Sequence, residues 1–173
     1  CIRDLCTRRG IELHEVEPSG PFSLELACKV HKPALIWSET PSNPWLRITD
    51  VTGAARMAHA AGAKLVVDST AATPVLSQPL ALGADIVMHS ATKGINGHSD
   101  VLAGTLSTAA PDDDIWQMIV DDRKQAGAVL GASHPFLDDV TRDLIELAHH
   151  PDAGTFIACG WCAGRDPLSF AVE

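Results

Sequence analysis

The chain has 173 residues, which is enough for one domain with a hydrophobic core but short for two. Its composition, 46% hydrophobic residues with 13 Gly and 11 Pro, is typical of a globular protein and excludes a disordered or fibrous chain. A net charge of −9 argues against a nucleic-acid partner. No apolar run approaches the roughly 20 residues that span a bilayer, so we predict no membrane partner.

The cysteines favour a cytoplasmic protein with free thiols. There are five of them, an odd number, and we find no secretory signal. Cys159 and Cys162 have CxxC spacing, but no second pair and no nearby pair of histidines completes a zinc site. Chance spacing is the better interpretation, and we predict no metal site. Because the first residue is Cys1 rather than Met, we expect the chain to begin inside a longer protein.

The predicted elements alternate between helix and strand. An amphipathic helix over residues 2–9 ends at Gly10 and precedes a short strand over residues 11–16. A second strand over residues 34–37 runs into a loop of turn-forming residues, 38–44.

The central part of the chain continues this alternation. Thr49 or Asp50 caps a predicted helix that runs to about residue 61 and ends at Gly62, and a buried strand over residues 64–67 then ends at Asp68. The later predicted elements are a short helix over residues 78–82, strands over residues 85–89 and 101–107, and a helix from Pro111 to about residue 126.

This pattern predicts an α/β fold. Continuous apolar strands that alternate with helices indicate a mostly parallel sheet with helices on both faces. Beyond residue 131 the pattern weakens: residues 137–148 have helical spacing, and residues 154–173 have no clear period. In parallel sheets, ligands bind beyond the carboxyl ends of the strands, so we look there for candidate site residues.

One strand end carries the strongest chemical signal. The strand over residues 86–89 is followed by Ser90, Thr92 and Lys93. We expect a lysine at this place to lie near the low-dielectric interior, where its amine loses its proton more readily and attacks a carbonyl to form a Schiff base. Hydroxyls beside it suit an anionic group next to that carbonyl, which describes pyridoxal phosphate. The alternative is a solvated lysine with hydroxyls that serve turns or caps.

Asp68 and Asn43 follow two other predicted strands, so we expect them to meet Lys93 at one edge of the sheet. Asp68 could pair with a protonated ring nitrogen or could cap the next segment. Asn43 could orient a ring hydroxyl or could form an Asx-turn. We expect His89 to pack inside.

Several short motifs follow one another in a characteristic order. They are Glu39–Pro44, Val66–Thr70, Thr73–Pro74, Gly83–Val87, Ser90–Lys93 and Gly97–Asp100. In this order they resemble the Cys/Met-metabolism pyridoxal-phosphate enzymes, the group of cystathionine gamma-synthase, beta-lyase and gamma-lyase. The resemblance covers roughly residues 1–131, and it implies the central part of a fold-type-I cofactor-binding domain. Residues 132–173 are left as an unassigned tail.

The resemblance also implies a cofactor, site residues and a reaction. The cofactor would be pyridoxal 5'-phosphate, with Lys93 as the Schiff-base and proton-shuttling residue. Asp68 would hold the pyridine nitrogen, Ser90 and Thr92 the phosphate, and Asn43 the 3-hydroxyl. The implied reaction is trans-sulfuration like that of cystathionine gamma-synthase, with elimination or replacement at the gamma carbon, or beta- or gamma-lyase chemistry instead. The implied substrate is an amino acid (a homoserine ester, cysteine or cystathionine), and the implied assembly is a homo-oligomer.

The chain also departs from this family. Ser69 stands where the family usually has Asn, and the chain has no tyrosine, although the family stacks one on the cofactor ring. We find neither the upstream phosphate loop nor the arginine that binds the substrate carboxylate. An alternative hypothesis is therefore a catalytically inactive fragment or a structural partner of a full-length homologue, with residues 132–173 divergent or read in a shifted frame. A Rossmann-type domain would need a Gly-x-Gly-x-x-Gly motif, which the sequence lacks.

Overall fold

The computed structural model describes residues 2–16, 23–99, 102–127, 155–160 and 169–171, the last two ranges as strand backbone. The helices are α1 (Ile2–Arg9), α2 (Ser23–His31), α3 (Val51–Ala60), α4 (Thr73–Leu76) and α5 (Asp114–Ala126). The strands are β1 (Leu35–Glu39), β2 (Lys64–Asp68), β3 (Ile86–His89), β4 (Ala103–Thr108), β5 (Thr155–Gly160) and β6 (Ser169–Ala171). Among the described residues, no helix has the length and apolar character needed to cross a membrane.

The strands form one mixed sheet in the order β1-β2-β3-β4-β5-β6. The pairs β1–β2 and β2–β3 are parallel, whereas β4 runs antiparallel to β3 and β5 antiparallel to β4. The predicted α/β class is confirmed, but the prediction of a mostly parallel sheet is wrong for this chain. A parallel return needs a crossover, usually a helix, and the described residues between β3 and β4 contain none.

The two faces of β2 pack against different helices. On one face, Leu65 and Val67 join a buried cluster with the small side chains of α3. On the other face, Val66 packs with Ile86 and with Trp116 of α5. Helices therefore cover both faces, as the sequence predicted, and the sheet core lies between α3 and α5.

Helix α3 forms where the sequence predicted it. The Asp50 side chain caps its first turn by accepting a hydrogen bond from the Gly53 amide at 3.0 Å. Alanines at 54, 55 and 58 are buried and let the helix lie close to the sheet. After the helix the chain turns at Gly62, whose φ of 77° lies in the left-handed region that favours glycine.

Two predictions about local structure are wrong, and one helix was not predicted. Residues 11–16 are exposed and form no strand, because no described strand pairs with them. The helix predicted over residues 78–82 is not formed, and the short helix α4 begins five residues earlier, at Thr73, with Pro74 in its first turn. Helix α2 was missed, since Cys28 is its single buried residue and its apolar periodicity is weak. The helix predicted over residues 137–148 lies outside the described residues.

A group of charged side chains holds the amino ends of β2 and β3 together. The Asp85 carboxylate accepts a hydrogen bond from the Leu65 amide at 2.7 Å and contacts His59 Nε2 at 2.9 Å. Lys64 Nζ lies 3.3 Å from Asp85 Oδ1 and 2.8 Å from Asp113 Oδ2, and this second contact reaches the cap of α5. The group lies at the amino ends of the strands, and Asp68 lies at the opposite, carboxyl end of β2.

Candidate functional site

The carboxyl ends of three parallel strands are aligned in one row. Glu39 pairs in register with Asp68, and Asp68 with Met88. The ladder continues past the strand ends, because the Thr40 amide donates to the Asp68 carbonyl and the Ser69 amide to the Met88 carbonyl, both at 3.0 Å. Asp68 and the loops that carry Asn43 and Lys93 therefore lie at the same end of neighbouring strands.

Asp68 is held from one side by Thr70. The Thr70 amide and hydroxyl both donate to Asp68 Oδ1, at 2.9 and 2.6 Å. The Thr70 hydroxyl also accepts a hydrogen bond from the Ser90 amide at 2.7 Å. The alternative that Asp68 caps the next segment is thus partly correct, because one of its two carboxylate oxygens binds the Thr70 amide. Among the described residues, Oδ2 makes no hydrogen bond and is available to a ligand.

Thr70 is the site residue that the sequence analysis missed. It joins the loop after β2 to the loop after β3, and so fixes Asp68 and Ser90 relative to each other. A threonine two residues after an aspartate is a recognisable Asx-turn pattern, and this signal could have identified it.

Lys93 lies in a compact turn. Its amide donates to the Ser90 carbonyl at 3.0 Å, and the Gly97 amide donates to the Lys93 carbonyl at 2.8 Å. The turn lies against α4, since a Cβ at Gly94 would stand 2.9 Å from the Thr73 Cγ2 atom. Lys93 is exposed, so its amine is not desolvated in this chain as a position near the low-dielectric interior would require. Its Nζ makes no ion pair within the described residues.

The two predicted phosphate-binding hydroxyls have different surroundings. The Thr92 hydroxyl donates to the Ala103 carbonyl at 3.2 Å and accepts from the Ala103 amide at 2.8 Å. Its proton is therefore directed at Ala103, and Thr92 could donate to a phosphate only by turning this proton away from the Ala103 carbonyl, which also accepts from the Thr92 amide at 3.2 Å. The hydroxyl of half-buried Ser90 makes no hydrogen bond with the rest of the described chain and is free to donate.

Asn43 lies in an exposed loop close to the end of β1. Its amide donates to Glu39 Oε1 at 3.1 Å, and the Asn43–Pro44 peptide bond is cis. The alternative interpretation as an Asx-turn is not realised among the described residues, because the Asn43 side chain accepts no backbone hydrogen bond there. The role that the resemblance implies for it stays a prediction.

Three buried polar side chains lie next to one another on or just after neighbouring strands, close to the strand ends that carry the site. Ser69, His89 and Thr105 occupy neighbouring positions after β2, on β3 and on β4, and each is 5% exposed or less. Within the described residues, Ser69 Oγ, His89 Nε2 and Thr105 Oγ1 have no hydrogen-bond partner. Burial lowers the pKa of His89, although the negative charge of Asp68 opposes that shift. The prediction that His89 packs inside is confirmed.

Comparisons with known proteins match most of the chain. A cystathionine gamma-lyase of Bacillus subtilis is 44% identical over 130 residues, which is 75% of this chain and 34% of that protein. A cystathionine beta-lyase of Lactococcus lactis subsp. cremoris is 42% identical over 152 residues, 88% of this chain and 39% of that protein. The chain thus spans less than half of the length of these curated relatives.

Solved structures agree with the sequence relatives. A methionine gamma lyase from Micromonospora echinospora superimposes with a TM-score of 0.74 at 43% identity, over 83% of this chain and 38% of that one. A cystathionine gamma synthase from Xanthomonas oryzae pv. oryzae gives a TM-score of 0.60 at 40% identity, over 68% of this chain and 30% of that one.

The family match covers more than half of the sequence. Residues 1–142 match the family described as Cys/Met metabolism PLP-dependent enzyme, a match that extends past residue 131. The division of the chain at residue 131 stays a prediction. The chain belongs to the Cys/Met metabolism family of pyridoxal-phosphate-dependent enzymes.

Proposed function

We propose that this chain is the cofactor-binding part of a pyridoxal-phosphate-dependent enzyme of sulfur amino-acid metabolism. The observation that carries the proposal is the asymmetric environment of Asp68, with Oδ1 bound to Thr70 and Oδ2 available to a ligand. An ionised carboxylate with one fixed and one available oxygen is suited to pair with a protonated pyridine nitrogen.

The donor set at this edge fits the proposed cofactor. Lys93 supplies the amine that bonds the cofactor aldehyde, Asp68 the carboxylate for the ring nitrogen, and Ser90 a free hydroxyl for the phosphate. Thr92 joins Ser90 at the phosphate if it exchanges Ala103 for a phosphate oxygen. Asn43, on the loop after β1, contacts the 3-hydroxyl.

The side chains have separate tasks in this proposal. When bound, the cofactor withdraws electrons from the substrate carbon next to the amino group. Asp68 keeps the ring nitrogen protonated, and Thr70 keeps the Asp68 carboxylate in one orientation. Lys93 would move protons between substrate carbons as general base and general acid.

For the reaction, we favour elimination or replacement at the gamma carbon, as in cystathionine gamma-synthase, with a homoserine ester, cysteine or cystathionine as the amino-acid substrate. The gamma-lyase and gamma-synthase names among the similar proteins support this choice. Beta-lyase chemistry is the second candidate, supported by the Lactococcus relative. Identifying the products distinguishes these possibilities. Cleavage of cystathionine at the gamma carbon would release cysteine, 2-oxobutyrate and ammonia, and cleavage at the beta carbon would release homocysteine, pyruvate and ammonia. A gamma-synthase would instead join cysteine to a homoserine ester and release the acid of that ester.

The test of the site uses covalent capture rather than turnover. The chain is incubated with pyridoxal phosphate, reduced with borohydride and digested, and the modified peptide is identified by mass spectrometry. We expect the label on Lys93, with no labelled peptide from Lys93→Ala and full labelling in the exposed control Lys124→Ala. A label on another lysine of the wild-type chain would refute the assignment.

A second candidate function is that of an inactive partner of a full-length homologue or of another copy of the chain. Large apolar side chains near the carboxyl edge are exposed: Trp45 at 77%, Ile48 at 74% and Val75 at 86%. A surface of this kind favours association, including the homo-oligomer that the resemblance implies. Labelling of Lys93 without turnover, in the presence and absence of a full-length relative, would favour this candidate.

We place the protein in the cytoplasm. The described thiols of Cys6 and Cys28 are free, as expected in a reducing compartment. A chloroplast is the alternative, because a tobacco cystathionine gamma-synthase that resembles the chain is named as chloroplastic. Localising a fluorescently tagged parent protein in cells distinguishes the two compartments.

A further inference from the structure

Three potential metal ligands meet on the surface between residues 12–14 and the end of α2. Glu12, His14 and His31 each offer one ligand atom, and these atoms lie within 4.8 Å of one another. Glu12 Oε1 is 2.7 Å from His14 Nε2. The rings of His14 and His31 stack with their centroids 3.5 Å apart and an angle of 20° between their planes. None of the three residues belongs to the candidate cofactor site.

We propose that Glu12, His14 and His31 bind a zinc ion. Two imidazole nitrogens and one carboxylate oxygen are a ligand set that Zn²⁺ uses in proteins, with water in the fourth tetrahedral position. The proposal is independent of the function proposed above, because it involves neither Lys93 nor the cofactor.

The backbone brings the ligands together from two segments. Glu12 and His14 are two residues apart, and their side chains meet with Oε1 2.7 Å from Nε2. His31 is the last residue of α2, and its ring reaches the His14 ring. No short ligand motif in the sequence signals this site, because His31 follows His14 by 17 residues.

Binding requires only local movement of these side chains. Zinc with ligands at about 2.1 Å brings ligand atoms to about 3.4 Å from one another, so displacements of about 1 Å are needed. The stacked rings must also rotate, because the lone pair of an imidazole nitrogen lies in the ring plane. All three residues are exposed, so neither rotation disturbs a packed core.

The surrounding charges are compatible with a cation. The neighbouring Glu15 is paired with Arg3, whose Nε and Nη2 lie 2.8 and 2.6 Å from its Oε1 and offset its charge. The net charge of −9 attracts cations to the chain. Bound zinc would fasten residues 11–16, which have no regular structure, to α2, and would stabilise the folded chain by mass action.

Calorimetric titration with zinc tests the proposal. We expect one ion to bind to the metal-free chain, and roughly tenfold or greater weakening in the double variant His14→Ala/His31→Ala. The control His59→Gln removes an exposed histidine elsewhere and should bind zinc as the wild type does. Zinc should raise the melting temperature of the wild type and of the control, but not that of the double variant. Unchanged affinity in the double variant would overturn the proposal.

The five cysteines are competing zinc ligands, and cobalt distinguishes them. Substituting Co²⁺ should give a visible spectrum without the intense near-ultraviolet band of sulfur-to-cobalt charge transfer. The visible bands should disappear in the double variant. A sulfur band that persists in the double variant would assign the ion to the thiols and refute the site.

Discussion

Thr70 donates its amide and its hydroxyl to the same oxygen of Asp68, at 2.9 and 2.6 Å. Two donors on one oxygen fix the plane of the carboxylate and leave the second oxygen to a ligand. Since the same hydroxyl accepts from the Ser90 amide, the orientation of Asp68 depends on the loop that precedes Lys93.

Removing the Thr70 hydroxyl should weaken cofactor binding. Thr70→Ala loses a charge-assisted hydrogen bond to Asp68 and leaves the Ser90 amide unpaired, a loss of about 1.5 kcal/mol or roughly tenfold in affinity. Thr70→Ser keeps the hydroxyl and should bind pyridoxal phosphate nearly as the wild type does. Titrating each variant with the cofactor by absorbance measures the difference, and equal affinities for the two variants would contradict this role.

His89 should make the stability of the chain depend on pH. Burial lowers the pKa of His89 below the unfolded value of about 6.5, against the opposing charge of Asp68. The unfolded chain therefore takes up this proton first on acidification. The stability that neutral His89 provides is complete above about pH 6.5 and is lost as the pH falls towards the folded pKa.

Measuring the free energy of unfolding in urea at several pH values on either side of about 6.5 tests this expectation. In His89→Gln the decrease in the free energy of unfolding over that interval should be smaller than in the wild type. The control His98→Gln changes an exposed histidine and should keep the wild-type slope. Parallel curves for wild type and His89→Gln would show that His89 does not cause the dependence.

Asp85 should govern stability at more acidic pH. Burial alone would raise its pKa, but hydrogen bonds from the Leu65 amide, His59 and Lys64 together hold the pKa below its ordinary value. Its contribution is therefore present above the unfolded pKa of about 3.9 and is lost as the pH falls through the folded pKa.

Asp85→Asn should unfold more easily at neutral pH, by about 1–3 kcal/mol, and should lose less stability in acid than the wild type. The exposed Asp121, which is 3.5 Å from Lys124, offers a matched control, and Asp121→Asn should leave both quantities nearly unchanged. Thermal melts from neutral to acid pH would contradict the prediction if Asp85→Asn and the wild type lost stability equally.

The four tryptophans allow the core between β2 and α5 to be tested. Trp116 is 2% exposed and packs against Val66 and Ile86, so Trp116→Ala should cost about 3–5 kcal/mol of unfolding free energy. Trp45 is 77% exposed, and Trp45→Ala should change that free energy by less than about 0.5 kcal/mol. Denaturant unfolding of the two variants measures both values, and similar losses would contradict the assignment of the core.

The sequence predicted those parts of the fold that depend on local signals. The Asp50 cap, the glycine after α3 and the buried strand β2 are each encoded within a few residues. The antiparallel direction of β4 was not predictable in the same way, because it depends on how the chain returns after β3. Residues 11–16 have the alternation of a strand, but they lack a partner in the described chain.

The candidate site likewise has features that local sequence signals predict and features that depend on the folded chain. The positions of Asp68 at the end of its strand and of Lys93 after the next strand follow from the motifs, and so does their location at the same end of the parallel strands. Which oxygen of Asp68 is bound, and what the Thr92 hydroxyl contacts, depend on neighbouring loops that no short pattern describes. The exposure of Lys93 is likewise a property of the folded chain.

The turn that carries Lys93 is anchored by two residues just before the lysine. Ser90 is bonded to Thr70 beyond β2, and Thr92 is bonded through both hydroxyl contacts to Ala103 of β4. A backbone fastened in this way has little room to shift. The position of the Lys93 amine is then determined by rotation about the bonds of its own four-carbon side chain, while the backbone at Lys93 stays in place.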